Sequence, residues 1–237
     1  MNDDAILYAI PGSHPARAGQ LMLELKGIPF RRVNLVPGFH RVYVRMRGFP
    51  GDRVPAVRFP DGTRAQGTRP LARALDALKP EPRLVPDDPR VEEAERWGDD
   101  VLQQWARRMV IEAGIRDPDL LHRHGAAGRL GPLLFRQDRL RRPMARLVRI
   151  ASRMTAEQFR DDQTRTDEML DRVGELIAAG VLNSEQLNCA DLQIATSLAL
   201  VEYRLDVREQ LRGRPAAELM ERVLPECRYR APPPSAR

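Results

Sequence analysis

The sequence predicts a small α/β domain followed by an all-helical domain. Three observations carry this. Strand-like and helix-like segments alternate over the first eighty residues, in the order β-α-β then β-β-α. A proline-dense stretch, KPEPRLVPDDP, follows at 79–89. Beyond it the apolar spacing is helical and no segment reads convincingly as a strand.

Each element has its own warrant. Residues 5–10 (AILYAI) form a short apolar run suited to a buried strand. A helix beginning near Pro15 follows, with Ala18, Leu21, Met22 and Leu25 at helical spacing and Gly27 as its stop. Residues 30–35 read as a second strand, and 37–51 as a loop with one helical turn. Residues 54–59 make a third strand, and Asp61-Gly62 signals a hairpin into a fourth at 63–65. Leu71, Leu75 and Leu78 mark a helix that ends before Pro80. These readings set the expected boundaries: an α/β domain at 1–79, a linker at 80–89, a helical domain at 90–225, and a disordered tail at 226–237.

In the helical part, Trp97, Val101, Trp105 and Met109 step by four along one expected helix. Arg142, Arg146, Arg149 and Arg153 share one face of another. Further helices are expected at 156–179, 189–204 and 215–223. In LNCADLQIATSLAL, Asn188 is placed to cap a helix, with Asp191 at its third position and Leu187 and Leu192 as a staple.

Composition bounds the function. The 237 residues are 42% hydrophobic but only 5% aromatic, so the core rests on aliphatic side chains. A formal charge of +6 comes almost wholly from arginine, Lys26 and Lys79 being the only lysines. Cys189 and Cys227 alone build neither a disulfide framework nor a thiolate metal site. The N-terminus has no secretory pattern, and no run approaches the roughly 20 apolar residues of a membrane span. A cytoplasmic location with reduced thiols is expected. His122 and His124 diverge on a helix and have no nearby cysteine, so no metal is expected there. GAAGRLG at 125–131 lacks the preceding strand of a dinucleotide fingerprint.

Ser13 and His14 stand where the first strand hands over to a helix, in AIPGSHPARAGQ. A hydroxyl beside a helix N-terminus suits an anion.

The set of motifs resembles the cytosolic glutathione S-transferase family, over about 4–79 and 90–225. PGSHPARAGQLMLELKGIPF is similar to that family's first loop and helix. RVPAVRFPDGTRAQGTRPLARAL resembles its Val-Pro, hairpin and Gln-Ser block, and LNCADLQIA its capping motif in the helical domain. The resemblance implies a thioredoxin-like N-terminal domain, an all-α helical-bundle C-terminal domain and a homodimer. It implies transfer of a thiol, glutathione or a related low-mass thiol, to a small electrophile, as in detoxification, with no tightly bound cofactor.

On that resemblance Ser13 stabilises the thiolate, Val54 and a cis Pro55 orient the thiol peptide, and Gln66 and Thr68 hold its amino-acid end. Arg53 meets a carboxylate. Pro11, His14, Trp105, Arg108 and Met109 are candidates for the second-substrate pocket. Periodicity alone places Trp105 and Met109 equally well in a core. Ala16 stands where glutaredoxin-like relatives carry a second cysteine, Gly67 where many members have an acidic residue, and Phe49-Pro50 in place of Asn-Pro. The Arg-rich stretch 116–155 is longer than the family's usual connection. Two other readings compete: a non-catalytic binding module on the same fold, and a nucleic-acid or anionic-surface binder using Arg142–Arg153.

Overall fold

Strand β1 (Ala5–Ala9) forms the centre of the N-terminal unit. The computed structural model describes residues 4–36, 38–116 and 155–225. The arginines at 142–153, His122, His124, the 125–131 segment and the tail at 226–237 lie outside those residues. The described chain divides into two units between Asp87 and Asp88.

In the first unit, β1 pairs in parallel with β2 (Phe30–Asn34) and antiparallel with β3 (Ala56–Arg58). Strand β3 pairs antiparallel with β4 (Arg64–Gln66), which sets the sheet order β2-β1-β3-β4. Alternation along β1 sends Leu7 and Ala9 to one face and Tyr8 to the other. Helices α1 (His14–Leu25) and α3 (Thr68–Leu78) pack together, burying Ala18, Met22, Leu71 and Leu75. On the Tyr8 side, Leu35, Val44, Phe49 and Ala56 complete a second small core. The Tyr8 ring meets Phe49 edge-on at 5.7 Å and Tyr43 at 5.9 Å.

Tyr43 and Val44 belong to α2 (His40–Met46), two helical turns where the sequence predicted a loop with one. Its residues face outward except buried Val44 and half-buried His40 and Tyr43, so apolar periodicity gave little sign of it. Tertiary contact with Tyr8 and Phe49 supplies what local pattern lacks.

In the second unit, α4 (Pro89–Trp97) runs into a π-helical turn at Gly98–Leu102 and on into α5 (Gln103–Arg116). The π turn inserts an extra residue per turn and rotates the buried face. Ala94, Gly98, Leu102, Trp105 and Met109 are therefore inside, while Trp97 and Val101 are only half-buried. That corrects the single four-step face expected from Trp97 to Met109. A Cβ on Gly98 would come within 3.1 Å of Ile194, so the turn approaches its neighbour at backbone distance.

The expected helix at 156–179 is two, α6 (Ala156–Thr164) and α7 (Thr166–Ala178), broken at Arg165. Helix α8 (Cys189–Val201) is buried at every residue and packs on α4, the π turn and α5. It begins with a reciprocal capping box. The Asn188 side chain accepts from the Ala190 and Asp191 amides, and Asp191 accepts from the Asn188 amide at 2.8 Å. Helix α9 (Leu205–Leu211) was not foreseen; α10 (Pro215–Val223) matches the expected 215–223.

Candidate functional site

Sheet topology alone brings the first-unit candidates to one end. Because β3 is antiparallel to β1 and β4 antiparallel to β3, β1 and β4 point the same way. Their C-terminal ends feed α1 and α3, so both helix N-termini emerge at the edge where β3 begins. Ser13, Val54-Pro55 and Thr68 all belong to that end of the sheet. The register supports this: Tyr8 lies opposite Ala56, Ala56 opposite Gln66, and the Gly67 amide donates to the Pro55 carbonyl at 2.8 Å.

Ser13 is the N-cap of α1. Its backbone is extended (φ −74°, ψ 109°), and Pro15 stands in the first turn, where a missing N–H costs nothing. Ser13 Oγ accepts from the Ala16 amide at 3.4 Å, a long capping bond. Among the described residues the hydroxyl proton has no acceptor, so it remains able to donate outward. The next residue, His14, is 7% exposed and forms part of the packed start of α1 rather than an open pocket wall. Pro11 is half-buried in the turn before Ser13.

The Val54-Pro55 peptide is cis. Pro55 is buried, and Gly19 of α1 lies against it. A Cβ on Gly19 would stand 3.0 Å from Pro55 and from Leu71. A glycine inside a helix is a visible signal of close approach, and it points here to a packing residue of the site that motif reading passed over.

Gln66 has a definite internal task. Its Oε1 accepts from the Gly51 amide at 2.7 Å, and its Nε2 donates to the Arg53 carbonyl at 2.9 Å. Both ends of the amide thus hold the 51–53 loop that delivers Arg53 and Val54 to the site. Gly51, unmarked by any motif, is the other half of that clasp. Gly67 caps α3 with φ +89°, a conformation open to glycine and strained for an acidic side chain. No side chain caps α3, and buried Thr68 is its first residue. The positive end of α3 is therefore left without a side-chain cap at the same end of the sheet as Ser13.

The surroundings are cationic. Arg53 is exposed, and Arg41 and Arg45 stand 3.8 and 3.7 Å from Asp52. Burial, with Arg41 alongside, holds the His40 imidazole below its ordinary value.

The remaining candidates lie in the second unit. Trp105 is 1% exposed and donates from Nε1 to the Asp162 carbonyl at 2.9 Å, and Met109 is wholly buried. Arg108 makes a two-pronged ion pair with Asp162, at 2.6 and 2.7 Å, and Asp162 is itself buried. Within this unit, all three act as core or core-bracing residues.

A surface cleft lined by Arg73, Asp76, Pro80, Glu81, Arg83 and Val85 lies at the other end of α3, away from Ser13 and Thr68. Among the described residues no group of three or more His, Cys, Asp or Glu is arranged to hold a metal ion, and no helix is long and apolar enough to cross a membrane.

Residues 7–83 match the family model described as glutathione S-transferase, N-terminal domain. No curated protein matches the chain in sequence. Solved structures resemble it throughout. A glutathione S-transferase from Rhodospirillum rubrum F11 is 20% identical with a TM-score of 0.61, covering 98% of this chain and 96% of that one. One from Methylobacterium radiotolerans, in complex with glutathione sulfonate, is 21% identical with a TM-score of 0.54 over 93% and 90%. A third, from Ceriporiopsis subvermispora in complex with glutathione, is 14% identical with a TM-score of 0.59 over 94% and 96%. Residues 7–83 thus belong to the glutathione S-transferase N-terminal domain family, and the chain has the transferase fold, a thioredoxin-like domain followed by helices.

Proposed function

We propose that this protein transfers glutathione, or a closely related low-mass thiol, to a small electrophile, with Ser13 as the donor that stabilises the thiolate. The observation that carries the reading is the convergence of the Ser13 hydroxyl, the Val54-Pro55 backbone and the uncapped N-terminus of α3 on one sheet edge. Similar structures in complex with glutathione sulfonate or glutathione support the choice of thiol.

The division of labour follows from chemistry. A thiol presented at the start of α1 meets the positive end of that helix and the Ser13 hydroxyl, whose proton has no acceptor among the described residues. Both favour the ionised form. The Val54 backbone pairs with the peptide portion of the ligand in strand fashion. The ligand's α-carboxylate end suits the N–H groups at the start of α3 and Thr68, while Arg53 offers a cation for a second carboxylate. Gln66 acts here by fixing the 51–53 loop. With the thiol proton released to solvent, attack of the thiolate sulfur on the electrophile forms the carbon–sulfur bond as the carbon–leaving-group bond breaks and the leaving group departs with its electron pair.

The test is thiol ionisation in the bound state. A charge-assisted hydrogen bond is worth about 1.5–3 kcal/mol, or roughly one to two pKa units. In Ser13→Ala, calorimetry should show glutathione still binding, while the thiolate absorbance of the complex titrates one to two units higher. Transfer near neutral pH should fall about 10- to 100-fold. An unshifted titration with undiminished transfer rules out the role of Ser13. A wild type that binds glutathione but conjugates no electrophile across a broad panel would leave a binding module on this fold.

A further inference from the structure

Five large apolar side chains stand exposed among the described residues, and three of them are on or beside α2: Phe39 at 75%, Val42 at 60% and Met46 at 81% exposure. Spaced by three and four residues, they form one stripe along the helix, about 10 Å long at 1.5 Å per residue. This stripe is not the face that packs inward; Tyr43 and Val44 do that against Tyr8 and Phe49. Exposed apolar stripes of this kind mark a contact surface.

Charge selects the kind of partner. Arg41 and Arg45 lie on the next sector of the same helix, with side chains 68% and 65% exposed and only a loose pairing to Asp52. Arg47 and Arg53 add to them, so residues 39–53 hold four arginines against one aspartate. The whole first unit is biased the same way. Residues 4–87 contain 14 Lys and Arg against seven Asp and Glu, whereas the complete chain has 39 against 33. The chain's positive excess therefore resides in this unit, and the apolar stripe lies within it.

We propose that α2 seats the protein on an anionic phospholipid surface. Phe39, Val42 and Met46 enter the boundary between headgroups and acyl chains, and Arg41 and Arg45 lie on lipid phosphates. An apolar sector beside a cationic one on a helix lying in the surface plane is the arrangement of an interfacial helix. A nucleic acid would satisfy the arginines but offers nothing to Val42 and Met46. Neither sector suffices singly; a short apolar contact and a small basic patch anchor reversibly when combined. This surface is independent of the thiol chemistry above.

The test is vesicle co-sedimentation of the full chain, with phosphatidylcholine vesicles compared against the same lipid containing phosphatidylglycerol. Binding is expected only to the anionic vesicles and should decline as salt rises. At about 1 kcal/mol, or roughly fivefold, per arginine, Arg41→Gln/Arg45→Gln should weaken it about 25-fold. Phe39→Ser/Met46→Ser should abolish it. Both double variants should keep the wild-type unfolding midpoint, since all four side chains are exposed. Equal binding to neutral vesicles, or unchanged binding by either variant, overturns the proposal. So does dissociation of an oligomer by Phe39→Ser/Met46→Ser, which would assign the face to a second copy. Capture of an acidic amphipathic peptide with no vesicle binding would assign it to a protein partner and overturn it equally.

Discussion

Replacing Lys26 by Met should destabilise the first unit by about 3–5 kcal/mol, the cost of stripping one partner from a buried ion pair. Lys26 follows the last residue of α1 and is fully buried. Its ammonium has three protons and three acceptors: Asp76 Oδ1 at 2.5 Å, the Lys79 carbonyl at 2.5 Å and the Pro80 carbonyl at 3.2 Å. Lys79 returns the contact, donating from Nζ to the Lys26 carbonyl at 2.6 Å. Asp76 also accepts from the Leu84 and Val85 amides, so one carboxylate ties the ends of α1 and α3 to the chain leaving the unit. Methionine keeps the aliphatic stem and removes only the charge and its donors. Arginine is no substitute, because a planar five-donor fork does not fit a site matched to three acceptors around a point. The chain's only two lysines meet here, each donating to the other's backbone carbonyl.

The assay is urea unfolding followed by two probes. With Tyr203 and Tyr229 replaced by Phe, Tyr8 and Tyr43 report on the first unit, and both tryptophans lie in the second. With a slope of about 1–3 kcal/mol/M, the tyrosine transition of Lys26→Met should move down by roughly 2 M. The pH dependence has a definite sign. Burial pushes the Asp76 carboxyl up, but Lys26 and the Leu84 and Val85 amides outweigh it and hold the pKa below its ordinary 3.8. A depressed carboxylate stabilises the fold above the unfolded pKa, and that contribution is lost as pH falls through the folded one. Wild-type stability should therefore drop in acid below about pH 4, and Lys26→Met should show a shallower drop. A tyrosine midpoint within experimental error of wild type would refute the reasoning.

Two further outcomes follow from packing and capping. Gly19→Val should lose about 1–3 kcal/mol in thermal or urea unfolding and also weaken glutathione binding by calorimetry, because its side chain meets Pro55 and Leu71 at 3.0 Å or less and drives α1 off the site. Asn188→Ala should cost about 2 kcal/mol in the tryptophan-detected transition. It removes the cap of α8 and also the donor to the Val181 carbonyl, at 3.0 Å.

Local chemistry made much of the fold legible. The cap at Ser13, the glycine stop at Gly27, the Asp61-Gly62 hairpin and the Asn188–Asp191 box involve neighbours within a few residues, so the sequence displays them directly. The resemblance of three motifs in order extended that reading to the site edge. What stayed hidden depends on partners far along the chain. Helix α2 exists because Val44 and Tyr43 meet Tyr8 and Phe49. The π turn at Gly98–Leu102 rotates a face that simple four-residue steps had placed wrongly. Gln66 looked like a ligand-holding residue, yet its amide clasps Gly51 and Arg53. Lys26, unremarkable in a helical run, is the centre of a buried junction 50 residues wide in sequence. The sequence by itself determined those elements whose caps, turns and periodicity are short-range. Only the tertiary structure decided which polar groups are left over for a ligand, because that depends on which of them the distant chain has already satisfied.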